Sequence, residues 1–230
     1  MHTLSTFRRR IPTQSDLPAV VELPDGSLRL HRLLGRGKSG YSYHAVRDRE
    51  EVVFKYMHEE ECSYYRFEDA KTALEERDYH RLKDIGLRVP DLLLADHERG
   101  FLIKEYIPGM TAAEVIAEGL PSTSLLTQLF AFARKCRDAA VNIDYFPTNF
   151  VIRGGHLYYV DYETNPFRSA WSLENWGLYY WANTAGMRAF LRDGSTRLLH
   201  DAADSALPLR LPFEHLVRSW IREFGAVESQ

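Results

Sequence analysis

Residues 142–152 read Asn142-Ile143-Asp144-Tyr145-Phe146-Pro147-Thr148-Asn149-Phe150-Val151-Ile152. A Gly154-Gly155 turn follows, and then Leu157-Tyr158-Tyr159-Val160-Asp161-Tyr162-Glu163. An Asp, an Asn five residues later and a second Asp ending a short apolar strand form a metal-phosphate constellation. Asp144 can take a proton from an attacking hydroxyl, or orient it. The amide oxygen of Asn149 and the carboxylate of Asp161 can hold Mg²⁺ against nucleotide phosphates. Each residue alone is as well explained by a loop or strand-end turn. The weight lies in their joint spacing and in what precedes them.

Upstream stands a glycine-rich connection, G-x-G-x-x-G, at Gly35, Gly37 and Gly40. Glycines let backbone N–H groups approach phosphate oxygens closely. A strand-like segment follows this loop, so it reads as a hairpin flap rather than the start of a dinucleotide-binding helix. It also lacks the G-x-x-x-x-G-K-[ST] pattern of a Walker motif. Lys55 ends the β-branched run Val52-Val53-Phe54. It is either an exposed edge lysine or a clamp on the α- and β-phosphates, and burial requires a carboxylate partner. Glu75 is the first candidate, since it lies near the apolar face of the next helix; Glu76 is held in reserve. In Lys104-Glu105-Tyr106-Ile107-Pro108-Gly109, backbone groups at Glu105 and Tyr106 are expected to pair with an adenine edge.

These groups need a scaffold. Val20–Leu23 and Ser27–Leu30 flank Pro24-Asp25-Gly26 and predict a hairpin. Strands are predicted at 51–56, 91–95 and 100–106. A helix is predicted from about Tyr65 to Asp84, with Ala73, Tyr79 and Leu82 on one face, stopped by Gly86 and Pro90. Thr111 is expected to cap a helix over Ala112–Glu118, and a longer amphipathic helix is expected over Ser122–Ala140. Further helices are predicted near Leu173–Leu191, Ser195–Ala203 and Pro212–Phe224. Strands first and helices later predict an α+β protein of two unequal lobes. The expected division is a polar arm at 1–16, a nucleotide-binding N-lobe at 17–107 and a catalytic, helical C-lobe at 108–230. The aromatic stretch from Trp171 to Trp181 reads as core in preference to a substrate surface.

From the glycine loop to Asp161, the order of these residues resembles the protein-kinase-like superfamily over roughly residues 30–165. Asp144-x₄-Asn149 is similar to the kinase catalytic loop and Asp161-Tyr162-Glu163 stands where D-F-G would. The resemblance is greatest to small atypical members: RIO-type kinases, lipopolysaccharide kinases and aminoglycoside phosphotransferases. It implies a bilobal fold with an antiparallel sheet and one helix in the N-lobe and a reduced helical C-lobe. It also implies an ATP- and Mg²⁺-dependent phosphotransferase. Asp144, Lys55 and Glu75 would be catalytic; Gly35, Gly37, Gly40, Lys55, Glu105 and Tyr106 would bind nucleotide; Asn149 and Asp161 would hold the metal.

The chain departs from that pattern in several places. The H-R-D histidine and arginine are Asn142 and Ile143, so a phosphorylated activation loop has no evident reader. Glu163 replaces the D-F-G glycine. No A-P-E motif follows, and 69 residues remain after Asp161. The leading expectation is an atypical serine/threonine protein kinase. Kept beside it are a small-molecule kinase, acting on a sugar, aminoglycoside or lipid head group, and a nucleotide-binding pseudokinase scaffold.

Composition removes other classes. The net charge of −3 argues against a general nucleic-acid binder, and Arg8-Arg9-Arg10 reads as a solvated tail. Cys62 and Cys136 form no C-x-x-C motif and suit a reducing cytoplasm. The nine histidines show no zinc-type spacing. No apolar run is long enough to span a membrane, and no signal peptide is seen. The expected partners are therefore ATP and a protein or small-molecule hydroxyl acceptor, with a monomer as the expected state.

Overall fold

The computed structural model describes residues 2–3, 11–23, 26–60, 70–202 and 207–225. They form a mixed α+β protein that divides into two compact units, Met1–His80 with Pro90–Tyr106 and Arg81–Val89 with Ile107–Gln230. Arg8–Arg10, Cys62, the Pro24-Asp25 turn and the start of the helix predicted from Tyr65 lie outside the described residues.

The first unit is built on a seven-stranded sheet. Its strands are β1 (His2–Thr3), β2 (Ala19–Leu23), β3 (Gly26–Arg36), β4 (Gly40–Arg47), β5 (Glu50–Met57), β6 (Leu92–Asp96) and β7 (Phe101–Glu105), in the order β1-β2-β3-β4-β5-β7-β6. All neighbours are antiparallel except β1 and β2. Alternation sorts the side chains. Leu28, Leu30, Tyr43, Ala45, Val52, Phe54, Phe101 and Ile103 join one buried cluster. Lys55, between Phe54 and Tyr56, must leave that face because successive strand residues point to opposite sides.

Helix α1 (Lys71–Asp84) buries Thr72, Glu75, Asp78 and Leu82. Its buried stripe keeps helical spacing but is largely polar, so hydrophobic periodicity alone understates it.

Within the segment expected to be a polar arm, residues 11–16 are tied to the sheet, and Ile11 packs against its core. Tyr43 donates to the carbonyl of Pro12 at 2.7 Å, and Leu33 N–H donates to Gln14 Oε1 at 3.0 Å. Thr13 and Asp16 close a capping box on a 3₁₀ turn, Gln14–Asp16. Arg81–Val89, expected within the N-lobe, instead groups with the second unit. The carbonyl of Gly86 accepts from Lys135 Nζ at 2.5 Å, and that of Arg88 accepts from Tyr159 N–H at 2.9 Å.

The second unit begins with β8 (Met110–Thr111) and helix α2 (Ala112–Glu118). Thr111 Oγ1 accepts from Glu114 N–H at 3.2 Å, and the Glu114 carboxylate accepts from Thr111 N–H at 2.6 Å, a reciprocal capping box. Ser122 caps α3 (Thr123–Asp138), whose apolar face buries Leu125, Leu129, Phe132 and Cys136. Burial pushes the Cys136 thiol up to about 11, which leaves it protonated and unreactive. Next come β9 (Val141–Asn142), β10 (Phe150–Arg153), β11 (His156–Tyr159) and β12 (Asn165–Pro166). They form a β11-β10-β8 sheet and a β12-β9 ladder.

A π-turn over Leu173–Gly177 leads into α4 (Leu178–Trp181), and then α5 (Thr184–Asp193) and α6 (Glu214–Phe224) follow. The helix predicted at Ser195–Ala203 does not form over its described residues. Gly194, left-handed at φ +75°, ends α5, Asp193 Oδ1 accepts from Ser195 N–H, and His200 makes an isolated bridge to Pro208. Among the described residues no helix is long and apolar enough to cross a membrane.

Gly109 admits no side chain: its φ is +158°, and an added Cβ would lie 2.1 Å from the Ile152 carbonyl oxygen. Gly109→Ala is therefore expected to cost more stability than Thr111→Ala, which should lose about 1 kcal/mol as a lost helix cap. Urea unfolding of the two variants against wild type checks the order.

Candidate functional site

The candidate residues fall into two groups, one in each unit. In the first unit, Lys55 comes from β5 and Glu75 from the second turn of α1. Lys55 Nζ lies 2.5 Å from Glu75 Oε1, and both side chains are over nine-tenths buried. Glu76 faces elsewhere, with its carboxylate 2.9 Å from His97 Nε2. The pair also has a member that the spacing did not suggest: Ser39 of the glycine loop donates to the same Oε1 at 2.8 Å. The other oxygen, Glu75 Oε2, is buried without a hydrogen-bond partner among the described residues.

The glycine loop joins β3 to β4. Gly37 N–H donates to the Gly40 carbonyl at 2.9 Å, and His58 fixes the loop twice, through its N–H to Ser39 O and through Nε2 with Gly37 O. Gly40 is required by packing, since a Cβ there would meet the Tyr56 carbonyl oxygen at 2.5 Å. At Gly35 a Cβ would meet nothing within 4 Å, so the backbone there borders open space. At the predicted adenine edge, the Glu105 N–H is already committed to the Asp91 carbonyl at 2.8 Å. Tyr106 stacks on His44, with ring centroids 4.4 Å apart.

In the second unit, Asp144 follows β9 and Asn149 ends a 3₁₀ turn, Pro147–Asn149. Asp144 Oδ1 accepts from Phe146 N–H at 2.9 Å, and Asn149 Nδ2 donates to the Asp144 carbonyl at 3.4 Å. Asp161 Oδ1 accepts from Tyr162 N–H at 2.9 Å. Burial, opposed by the Phe146 N–H and aided by the charges of Asp161 and Glu163, raises the Asp144 carboxyl to about 6.

Two further residues hold this group together. Tyr159, fully buried, accepts from Asp144 N–H at 3.4 Å and donates to the Glu163 carbonyl at 3.1 Å. Asn142 donates to Trp171 O at 2.9 Å and accepts from Arg168 N–H at 2.5 Å. Neither role is visible from composition; Tyr159 ends β11, two residues before Asp161. In the aromatic stretch, Tyr179, Tyr180 and Trp181 are buried, and Trp181 Nε1 donates to the Tyr145 carbonyl at 2.9 Å. Trp171 is exposed.

The donor set is chemically selective. Among the described residues no three His, Cys, Asp or Glu side chains converge as a metal cage. An amide oxygen and one carboxylate are instead what Mg²⁺ takes when water and phosphate complete its shell. No protein-family model and no curated protein sequence matches the chain.

Two outcomes follow from burial. Lys55→Met alone leaves the Glu75 carboxylate buried and unpaired and should cost about 3 kcal/mol, whereas Lys55→Met with Glu75→Leu should recover much of that loss. Urea unfolding of the single and double variants measures both. Asp144 has a folded-state pKa above its ordinary 3.8, so its ionisation opposes folding, and stability falls as pH rises from about 4 through about 6. Asp144→Asn keeps an acceptor for Phe146 N–H and removes that penalty. Its gain in melting temperature should be absent at pH 4 and below and reach its full size above about pH 6.

Proposed function

We propose that the chain is an ATP- and Mg²⁺-dependent phosphotransferase of the protein-kinase-like superfamily that transfers phosphate to a hydroxyl, with serine or threonine of a protein as the leading acceptor. The observation that carries this reading is the buried Lys55–Glu75 pair beneath a glycine loop. A buried lysine beside a carboxylate presents a fixed positive charge, and burial strengthens its pull on phosphate.

Bound Mg·ATP supplies the transferable phosphoryl group and the metal charge that offsets the phosphates. This chain's own residues do the rest. Lys55 binds the phosphate tail, and Glu75 keeps its ammonium charged and aimed. Asn149 and Asp161 provide the metal's protein ligands. Asp144 orients the acceptor hydroxyl and takes its proton, a task suited to a carboxyl raised toward neutrality by burial. Tyr159 and Asn142 keep the loop carrying Asp144 in register with the segments that follow Asp161. Most of the rate gain then comes from positioning and fixed charge.

A second acceptor class is favoured by the mutual proximity of Asp144, Asp161 and Glu163. Carboxylate charge beside the proposed base suits an acceptor that carries an amine, as a small cationic molecule does. A scaffold that binds nucleotide without turnover is the third reading, and two separate features weigh against it, the buried lysine–glutamate pair of the first unit and the raised Asp144 carboxyl of the second.

Transfer from labelled ATP with Mg²⁺ tests the reading, using wild type, Asp144→Ala and Asp161→Ala with a lysate separated into proteins and small molecules. Label in a protein band, lost in both variants while their unfolding midpoints stay near wild type, is the expected result. Label only in the small-molecule fraction moves the acceptor to a metabolite. Full activity of Asp161→Ala overturns the metal assignment.

A further inference from the structure

The contact between Ser39 and Glu75 has no counterpart in the residues assigned above. Ser39 is half-buried near the tip of the glycine loop, where a hydroxyl would otherwise face water. Its Oγ instead donates to Glu75 Oε1 at 2.8 Å, and that oxygen also accepts Lys55 at 2.5 Å. One oxygen atom therefore ties the loop, strand β5 and helix α1 together. Glu75 Oε2 receives nothing from the described residues, so both donors converge on one side of the carboxylate. A hydrogen bond to an ionised acceptor is about twice as strong as a neutral one. The loop backbone on either side is already constrained at Gly37 and at Ser39 O by His58, which leaves the hydroxyl little freedom to choose another partner.

We propose that Ser39 is a positioning residue for the phosphate clamp, and this rests on the phosphotransferase reading. Through Glu75 it sets the height of the glycine loop over Lys55 before nucleotide arrives. Its hydroxyl touches no reacting atom. Because loop and lysine contact phosphate in the ground state and the transition state alike, loss of the tether should weaken nucleotide binding and spare the chemical step. A residue that served the fold alone would lower stability and active fraction without separating the two.

The test uses the full chain as wild type, Ser39→Ala and Ser39→Thr, with Mg·ATP as the probe in titration calorimetry and in steady-state turnover. Ser39→Ala is expected to raise the Kd and KM for Mg·ATP about tenfold and to change kcat less than about twofold. Ser39→Thr, which keeps the hydroxyl, is expected to restore wild-type binding. Amide exchange across residues 36–41 should speed up in Ser39→Ala without nucleotide and return to the wild-type rate in Ser39→Thr. Wild-type affinity in Ser39→Ala, or a kcat loss at unchanged KM, overturns the positioning role and leaves the phosphotransferase reading standing. No binding of Mg·ATP by wild type overturns that reading and the clamp with it, even where the exchange rates follow Ser39.

Discussion

A charged lysine buried over nine-tenths is the constraint from which the first unit is organised. Lys55 cannot be removed from water without a counter-charge, because the desolvation cost of an ammonium exceeds what packing returns. Glu75 supplies that charge, and so helix α1 must present a carboxylate in its second turn toward the sheet. The sheet must in turn leave one face open to the helix while Phe54 and its neighbours close the other. The pair is a weak source of stability for this cost. What it supplies is a fixed relation between a strand and a helix, which the glycine loop joins through Ser39.

The second unit solves a different problem, the burial of the Asp144 carboxyl. Burial raises it toward neutrality, and the charges of Asp161 and Glu163 add to the rise. Directional hydrogen bonds hold the surrounding loop. The Asp144 backbone is tied through the Tyr159 hydroxyl to Glu163 O, and Val160 N–H donates to Asn149 O at 2.9 Å. Gly177 allows the aromatic helices to approach this loop closely, since a Cβ there would lie 2.5 Å from Tyr145 Cβ.

Much of this was legible in the chain, for reasons that differ by element. Helix caps act locally, so Thr111 marked the start of α2, and the amphipathic helix expected over Ser122–Ala140 forms over Thr123–Asp138 with Ser122 as its cap. Short apolar and β-branched runs placed strands β5, β6 and β7 within a residue or two. Helical spacing favoured Glu75 over Glu76 without excluding the latter, and in the structure Glu75 pairs with Lys55 while Glu76 meets His97. The misses share a cause. Ser39, Asn142 and Tyr159 act across 36, 29 and 15 residues respectively, and no local pattern encodes such partners. The helix expected at Ser195–Ala203 had adequate propensity, but Gly194 and the bridge from His200 to Pro208 claimed its backbone first. Arg81–Asp84 does close helix α1, but beyond it the carbonyls of Gly86 and Arg88 bond to Lys135 and Tyr159 of the second unit, with which Arg81–Val89 groups.

Asn142 has one more consequence. Its amide makes both bonds of the bracket to Arg168 N–H and Trp171 O without carrying charge, and it is buried. Dissolved salt screens the exposed ion pair of Arg36 with Glu60 beside the glycine loop, but it has little hold on a buried neutral amide. The surface beside the glycine loop in the first unit thus answers to the ionic medium, while the bracket behind the strand leading to Asp144 in the second unit depends little on it.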